Sequence, residues 1–131
     1  MARILIIDDE VLVREFLRGV LESAGHDVME GNNGEDAVKI FSQVLPDVLI
    51  IDVIMPDQDG LYAIRVIRRE MPRARVIAMS GMHTLVGYDY LKPALKLGAD
   101  AALYKPFGSK DLLRTIEKLL PAGDSPQVPL Q

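Results

Sequence analysis

Acidic, hydroxyl and amine side chains stand directly after four apolar runs of the chain. These are Asp8 and Asp9 after "RILII" (3–7), Asp52 after "DVLII" (47–51), Ser80 after "RVIAM" (75–79) and Lys105 after "DAALY" (100–104). Neighbouring carboxylates repel one another unless a cation compensates them or some are protonated. Oxygen ligands of this kind suit Mg²⁺, while an amine and a hydroxyl donate hydrogen bonds to phosphate oxygens. If the four runs end side by side, they predict a magnesium-dependent phosphoryl-transfer site with a carboxylate as nucleophile.

The elements that must bring these side chains together are strands alternating with helices. The candidate strands are the four runs above and "HDVME" (26–30). Helical periodicity covers 10–24, 34–44, 60–70 and 110–120, and a short helix is expected from about 89 to 97. Five such units predict an α/β fold, a single doubly wound (βα)5 flavodoxin-like domain with a parallel five-stranded sheet in the order 2-1-3-4-5. Strands 1 and 3 are neighbours in that order, so the acids after them are expected to meet where ligands bind.

Two residues carry predicted helix-end signals. Asn33 is a candidate N-cap for the helix at 34–44, with Asp36 three residues later. Gly25 stands where the helix at 10–24 is expected to stop.

Each chemical feature also has a purely structural interpretation. Asp8 and Asp9 are suited to capping the first helix, and an acid such as Asp52 after a strand is common in turns. Ser80 with Gly81 is an ordinary loop sequence. The functional interpretation is favoured because all four features follow the ends of their own strands.

Composition excludes several classes of function. The 131 residues carry a net charge of −4, which argues against a nucleic-acid-binding surface. The chain has no cysteine, which excludes disulfides, thiolate catalysis and cysteine zinc sites. With no signal peptide and no apolar stretch of membrane-spanning length, the expected location is cytoplasmic, without membrane insertion. Residues 1–120 are expected to form the domain, and the tail at 121–131, with three prolines, a disordered end or a linker stub.

The chain resembles the receiver domain of two-component response regulators, the CheY-like family, over residues 3–120. The motifs that carry the resemblance are "IIDDE" (6–10), "LIIDVIMPDQDG" (49–60), "AMSG" (78–81) and "LYKPF" (103–107). The resemblance implies that Asp52 is the phosphoacceptor and that Mg²⁺, or Mn²⁺ as a substitute, is the cofactor. The implied metal ligands are Asp8, Asp9, Asp52 and the backbone carbonyl of Ile54, with Asp9 binding directly and Asp8 largely through water.

The resemblance also implies roles for the ends of strands 4 and 5. The Ser80 hydroxyl is expected to move to the phosphoryl group, and Lys105 is expected to pair with that group. By the same resemblance the Lys105–Pro106 peptide bond is expected to be cis, which a following proline makes physically accessible.

Three features depart from the family pattern. Ala102 stands where receivers carry Tyr or Phe, and Tyr104, Tyr88 or Tyr90 are the candidate substitutes. The segment between Ser80 and Lys105 is longer than in the chemotaxis regulator of this family, and a mobile loop is expected at 81–88. Ile54 and Met82 are apolar at positions where polar groups can hold a hydrolytic water, so slow dephosphorylation is expected. His26 is expected in a solvated turn before strand 2 and His83 in a loop, neither with a ligand role.

The resulting functional prediction is a signalling domain and not a turnover enzyme. It takes a phosphoryl group onto Asp52 from the phosphohistidine of a histidine kinase or a histidine phosphotransfer protein. It then signals to an unknown protein target through helix 4, strand 5 and helix 5, with no direct contact to nucleic acid.

Two alternative functions remain open. The chain is also consistent with a receiver cut from a larger regulator that carries a DNA-binding or enzymatic output domain. A metal-dependent phosphatase with an aspartyl nucleophile fits less well, because such enzymes carry Asp-x-Asp and the acids Asp8 and Asp9 are adjacent. Intact acids and Lys105 argue against a receiver that works without phosphorylation.

Overall fold

The computed structural model describes residues 1–55, 59–81 and 91–120, which alternate between strands and helices. The strands are β1 (Arg3–Ile7), β2 (Asp27–Gly31), β3 (Val48–Asp52), β4 (Arg75–Ser80) and β5 (Ala101–Tyr104). The helices are α1 (Val11–Ser23), α2 (Gly34–Val44), α3 (Asp59–Glu70), α4 (Leu91–Leu97) and α5 (Ser109–Leu119). The predicted alternation of strands and helices is therefore confirmed over these ranges.

The five strands form one parallel sheet in the order β2-β1-β3-β4-β5. This order confirms the doubly wound flavodoxin-like fold. Ile7 at the end of β1 is paired with Gly31 of β2 on one side and Ile51 of β3 on the other. Ser80 at the end of β4 is paired with Tyr104 of β5. The residues that follow these positions consequently emerge at the same edge of the sheet.

Alternate side chains of the central strands enter two apolar cores, one on each face of the sheet. The first lies under α2, α3 and α4 and includes Leu5, Ile7, Phe41, Leu49, Ile51, Ile64, Ile67, Val76, Leu91 and Ala94. The second lies under α1 and α5 and includes Ile4, Ile6, Leu17, Leu21, Val48, Ile50, Ile77, Leu112 and Ile116. Because both faces are covered, β1, β3 and β4 are apolar almost throughout. Each large aliphatic side chain buried in this way contributes about 2 kcal/mol, so the cores hold the strand ends in place.

The end of α1 and the start of α2 follow their predicted signals. Asn33 Oδ1 accepts a hydrogen bond from the Asp36 N–H at 2.8 Å, which caps α2. Asp36 Oδ2 accepts a bond from the Asn32 N–H at 2.9 Å. Gly25, after α1, has φ of +91°, a conformation that costs glycine little. The positions of these two helix ends are therefore determined both by local hydrogen bonds and backbone conformation and by the burial of apolar side chains.

His26 is buried, which corrects its expected place in a solvated turn. It is 4% exposed, and its Nδ1 accepts a hydrogen bond from the Ala2 N–H at 3.0 Å. Burial, together with the N-terminal ammonium, lowers the pKa of the imidazole. The pairing of β1 with β2 encloses the turn, since the Asp27 N–H also bonds to the Ala2 carbonyl at 2.9 Å. His26 is a structural residue, and β2 begins one residue later than predicted.

Some sequence-based predictions lie outside the described residues. They concern most of the loop at 81–88, the tail at 121–131 and the side chains of Met82, His83, Tyr88 and Tyr90. The helix predicted at about 89–97 corresponds to α4, which is described from Leu91 to Leu97. Among the helices of the described ranges, each is too short or too polar to cross a bilayer.

Arg68 ties the end of α3 to the segments that lead into β4 and β5. Its guanidinium donates to the carbonyls of Pro72 at 2.7 Å, Ala74 at 2.8 Å and Gly98 at 2.7 and 3.0 Å, and to the Asp100 carboxylate at 2.7 Å. Asp100 also accepts the Val76 N–H at 2.8 Å, at the start of β4. Gly98 has φ of +120°, and a Cβ there would lie 2.7 Å from Arg68 Cγ. One side chain therefore holds α3 against both connections on this side of the sheet.

Replacing Arg68 by alanine should destabilise the fold. We expect Arg68→Ala to lower the free energy of unfolding by about 3 kcal/mol, because three loop carbonyls and Asp100 lose a charged donor. Urea denaturation followed by circular dichroism measures the change. Arg69→Ala, at the exposed neighbouring position, is the matched control and should change the free energy by less than about 0.5 kcal/mol. Equal effects of the two substitutions would contradict this role of Arg68.

Candidate functional site

Three aspartates meet where β1 and β3 end. One carboxylate oxygen from each of Asp8, Asp9 and Asp52 lies within 4.8 Å of the others. Asp8 is fully buried, Asp52 is 4% exposed and Asp9 is exposed. The meeting follows from the sheet, because Ile7 and Ile51 are paired and each is followed by its acid. The predicted cluster is therefore present, with one carboxylate open to solvent.

Lys105 reaches this cluster from the end of β5. Its Nζ lies 2.9 Å from Asp8 Oδ2 and 2.9 Å from Asp52 Oδ2, with Glu10 Oε1 further out at 3.8 Å. The Lys105 N–H donates to the Ser80 carbonyl at 2.9 Å, which continues the pairing of β4 with β5. The Lys105–Pro106 peptide bond is cis, as expected. The ammonium thus joins the acids of β1 and β3 across the end of β4.

Both buried acids are fixed by a second hydrogen bond. Asp8 Oδ1 accepts the Glu10 N–H at 2.9 Å, and Asp52 Oδ1 accepts the Ile54 N–H at 2.8 Å. Each carboxylate therefore gives one oxygen to the backbone two residues later and the other to Lys105. Turn-forming chemistry and site chemistry coexist in these aspartates, so the two interpretations of the sequence were not exclusive.

The charges of the cluster are not fully balanced. Burial raises the pKa of Asp52 to about 6, although Lys105 and the Ile54 N–H oppose the rise and Asp8 adds to it. Burial acts to lower the pKa of Lys105, but the carboxylates of Asp52 and Asp8 outweigh it and the net shift is upward. The lysine consequently stays charged at neutral pH. Its one ammonium contacts two buried carboxylates, and Asp9 adds a third carboxylate to the cluster.

Helix α3 lies directly against the backbone of Asp52. A Cβ at Gly60 would lie 2.8 Å from Val53 Cα and would also overlap the Asp52 carbonyl. Glycine is therefore required for this approach. The Ile54 side chain is half-buried and packs against the core under α2, α3 and α4.

The donor set fits a hard divalent cation. It consists of the carboxylate oxygens of Asp8, Asp9 and Asp52, which are ligands that Mg²⁺ favours, and the part expected of the Ile54 carbonyl stays a prediction. Burial raises the pKa of Asp52 and Asp8 adds to the rise, so a cation bound here would favour the ionised carboxylate. Asp9, Glu10, Asp52, Ile54, Gly81 and Lys105 line a cavity of about 260 Å³ over the cluster.

The remaining predicted residues lie close by. Ser80 is fully buried at the end of β4. Ala102 of β5 is half-buried and packs against the core under α3 and α4, whereas Tyr104 is 43% exposed. Substitution of the usual aromatic residue by Tyr104 stays a prediction. Sequence reasoning missed Glu10, whose only signal was its place in "IIDDE".

Comparison with known proteins assigns the family. A family model described as the response regulator receiver domain matches residues 4–117. The chain belongs to this family. The receiver domain is 34% identical over 119 residues to the chemotaxis protein CheY of Listeria monocytogenes, covering 90% of this chain and 98% of that protein. It is also 33% identical over 120 residues to a probable transcriptional regulator, ycf27, of Guillardia theta, covering 90% of this chain and 45% of that protein.

A solved relative bears on the cofactor. The response regulator TrrA of Thermotoga maritima, crystallised in complex with Mg²⁺ and BeF, superimposes with a TM-score of 0.78 at 32% identity, over 92% of this chain and all of that one. Receiver domains are signalling modules of two-component systems, and the acidic cluster of this receiver domain fits Mg²⁺.

The raised pKa of Asp52 predicts a pH-dependent loss of stability without metal. Native Asp52 binds its proton up to about pH 6, against an ordinary value of 3.8. The native state therefore holds more protons between these values, and stability falls as pH rises through this window. In the presence of EDTA, Asp52→Asn should raise the free energy of unfolding at about pH 7.5 by about 2 kcal/mol, with the gain vanishing near about pH 4.

Urea denaturation at both pH values measures this gain. Asp27→Asn, which removes an exposed carboxylate at the start of β2, is the control and should change stability by less than about 0.5 kcal/mol at either pH. A gain for Asp52→Asn that is the same at both pH values would contradict the burial argument.

Proposed function

We propose that this receiver domain accepts a phosphoryl group on the Asp52 carboxylate from the phosphohistidine of a histidine kinase or a histidine phosphotransfer protein. The observation that carries the proposal is the Lys105 ammonium at 2.9 Å from both Asp8 and Asp52. This arrangement supports the proposal, because it would put a nucleophile, a phosphate-binding cation and an acid suited to a metal ion side by side. A purely structural turn would require none of these contacts.

In the proposed reaction an oxygen of Asp52 attacks phosphorus, and the bond from phosphorus to the histidine nitrogen breaks. The bond electrons return to the imidazole, which takes up a proton, and Asp52 becomes an acyl phosphate. Mg²⁺, held by Asp8, Asp9, Asp52 and the Ile54 carbonyl, would offset the charge of the attacking carboxylate and the phosphoryl oxygens. Lys105 would exchange its contact with Asp52 for one with a phosphoryl oxygen.

The buried Ser80 hydroxyl would complete the binding of the phosphoryl group. Its position at the end of β4 places it between the strand that carries Asp52 and the strand that carries Lys105. A hydrogen bond from this hydroxyl would draw the end of β4 towards the phosphoryl group. Phosphorylation would then shift a pre-existing equilibrium, and the surface of α4, β5 and α5 would report the shift to a protein target.

The proposal also covers the division of the chain into a receiver and a tail. We assign residues 1–120 to the receiver and 121–131 to a tail or a linker stub. The chain covers 98% of a CheY, which supports a stand-alone receiver. It covers 45% of a probable transcriptional regulator, which supports a fragment of a longer regulator. The phosphoacceptor chemistry is the same in both cases.

Incubation with acetyl phosphate and Mg²⁺, followed by intact mass, tests the proposal. We expect a mass gain of one phosphoryl group that decays slowly after donor removal. Asp52→Asn should abolish the gain, and EDTA should strongly reduce it. Asp27→Asn, remote from the cavity, should be phosphorylated like the wild type.

Two results would overturn the proposal. One is the absence of any mass gain in the wild type at saturating donor and Mg²⁺. The other is an equal gain in Asp52→Asn, which would place the phosphoryl group elsewhere. Continuous hydrolysis of a small phosphoester would favour the phosphatase alternative.

A further inference from the structure

We propose that Arg14 of α1 is a positioning residue that holds the Asp8–Asp9 peptide in the orientation required for metal binding. The proposal rests on the function proposed above, because it concerns the acids of the same site. Arg14 does not belong to the motifs that carry the family resemblance. Its side chain is only 13% exposed, although the helical periodicity places it on the polar side of α1.

The first observation is a contact with the backbone of the acid pair. Arg14 Nη1 donates to the Asp8 carbonyl oxygen at 2.5 Å. This carbonyl lies before α1, which begins at Val11, and the Arg14 N–H bonds instead to the Glu10 carbonyl at 3.2 Å. The Asp8 carbonyl belongs to the planar peptide unit that leads into Asp9. A hydrogen bond that holds this oxygen therefore also holds the peptide plane between Asp8 and Asp9, and with it the direction of the Asp9 side chain.

The second observation is that Arg14 is itself held in place. Its Nε pairs with Glu30 Oε1 of β2 at 2.9 Å, and the other oxygen of Glu30 pairs with Arg18. The hydrogen bond from Arg18, opposed by burial and reinforced by Arg14, holds the pKa of Glu30 below its usual range. Glu30 is therefore ionised at neutral pH. The planar guanidinium of Arg14 spans β2 and the acid loop with separate nitrogens, which an ammonium cannot reproduce.

The geometry that Mg²⁺ binding requires would give the hydrogen bond from Arg14 to the Asp8 carbonyl a function. Asp8 and Asp52 are held by Lys105 and by backbone N–H groups, whereas Asp9 is exposed at the rim. The position of its carboxylate follows from the backbone that Arg14 holds. Mg²⁺ demands near-ideal octahedral geometry, so a small rotation of the peptide unit weakens binding. Groups that orient metal ligands commonly change metal affinity about 10-fold or more when they are removed.

The sign of the effect separates positioning from simple charge. Removing a cation near a metal site favours metal binding electrostatically, so a charge effect alone predicts tighter Mg²⁺ binding by Arg14→Gln. Loss of the peptide anchor predicts weaker binding. Because Glu30 already neutralises Arg14, the geometric effect should dominate.

Isothermal titration of the full chain with Mg²⁺ tests the proposal. We expect Arg14→Gln and Arg14→Lys each to raise the Mg²⁺ dissociation constant about 10-fold. Phosphorylation by acetyl phosphate should be slowed at low Mg²⁺ and restored towards the wild-type rate at saturating Mg²⁺. Arg18→Gln is the matched control, because it removes the other ion pair of Glu30 but leaves the contact with Asp8. It should keep the wild-type dissociation constant.

Arg14→Lys is the second variant and covers the case in which Arg14→Gln fails to fold. It keeps the positive charge beside the acids but cannot bond to Glu30 and to the Asp8 carbonyl with separate fixed nitrogens, so weaker Mg²⁺ binding by this variant reports the lost anchor and not a change of charge. If the wild type binds Mg²⁺ and the Arg14 variants bind it equally well or more tightly, the role of Arg14 is overturned while the proposed function stands. An equal loss of affinity in Arg18→Gln would overturn it as well. A wild type that binds no Mg²⁺ would overturn the proposed function and this role with it.

Discussion

The shared ammonium of Lys105 is the interaction on which the site depends. Two carboxylates are buried beside each other, and each would cost several kcal/mol to bury without a partner. Lys105 contacts both at 2.9 Å, yet Asp52 still has a pKa of about 6 because burial outweighs this compensation. The site is therefore stable enough to form and retains an excess of negative charge. That excess suits the site to a cation, and in the proposed function the Asp52 carboxylate would react with an electrophilic phosphoryl group.

The fold supplies the geometry for this interaction through strand order and close packing. The acids come from adjacent strands, whereas Lys105 starts on β5 and must extend past β4. Gly81 lies under this path, where a Cβ would come within 3.2 Å of Lys105 Cβ. Gly60 lets α3 press against the Asp52 backbone on the other side. The two cores on either face of the sheet hold these elements so that distances near 3 Å persist across three strands.

Much of this arrangement follows from the sequence, because strand ends and sheet order are encoded by periodicity. The rule that ligands bind beyond the carboxyl ends of parallel strands predicts from the sequence that Asp8, Asp9, Asp52, Ser80 and Lys105 lie near one another. Contacts between side chains and distant backbone were not predictable in this way. Arg14 has the spacing of an ordinary polar helix residue, and nothing local indicates its bond to the Asp8 carbonyl. The burial of His26 likewise arises from strand pairing and not from its neighbours in sequence.

The most direct test of this account is the pKa of the Asp52 carboxyl group, followed by its ¹³Cγ chemical shift with and without Mg²⁺. The account predicts a value of about 6 in the metal-free protein, set mainly by burial. Saturating Mg²⁺ should lower that pKa by more than about one unit, because a bound cation favours the ionised form. An ordinary pKa of the Asp52 carboxyl group without metal, or a raised pKa that Mg²⁺ leaves unchanged, would contradict this account. The account holds that the cluster carries uncompensated negative charge and is suited to a metal ion and to phosphoryl transfer.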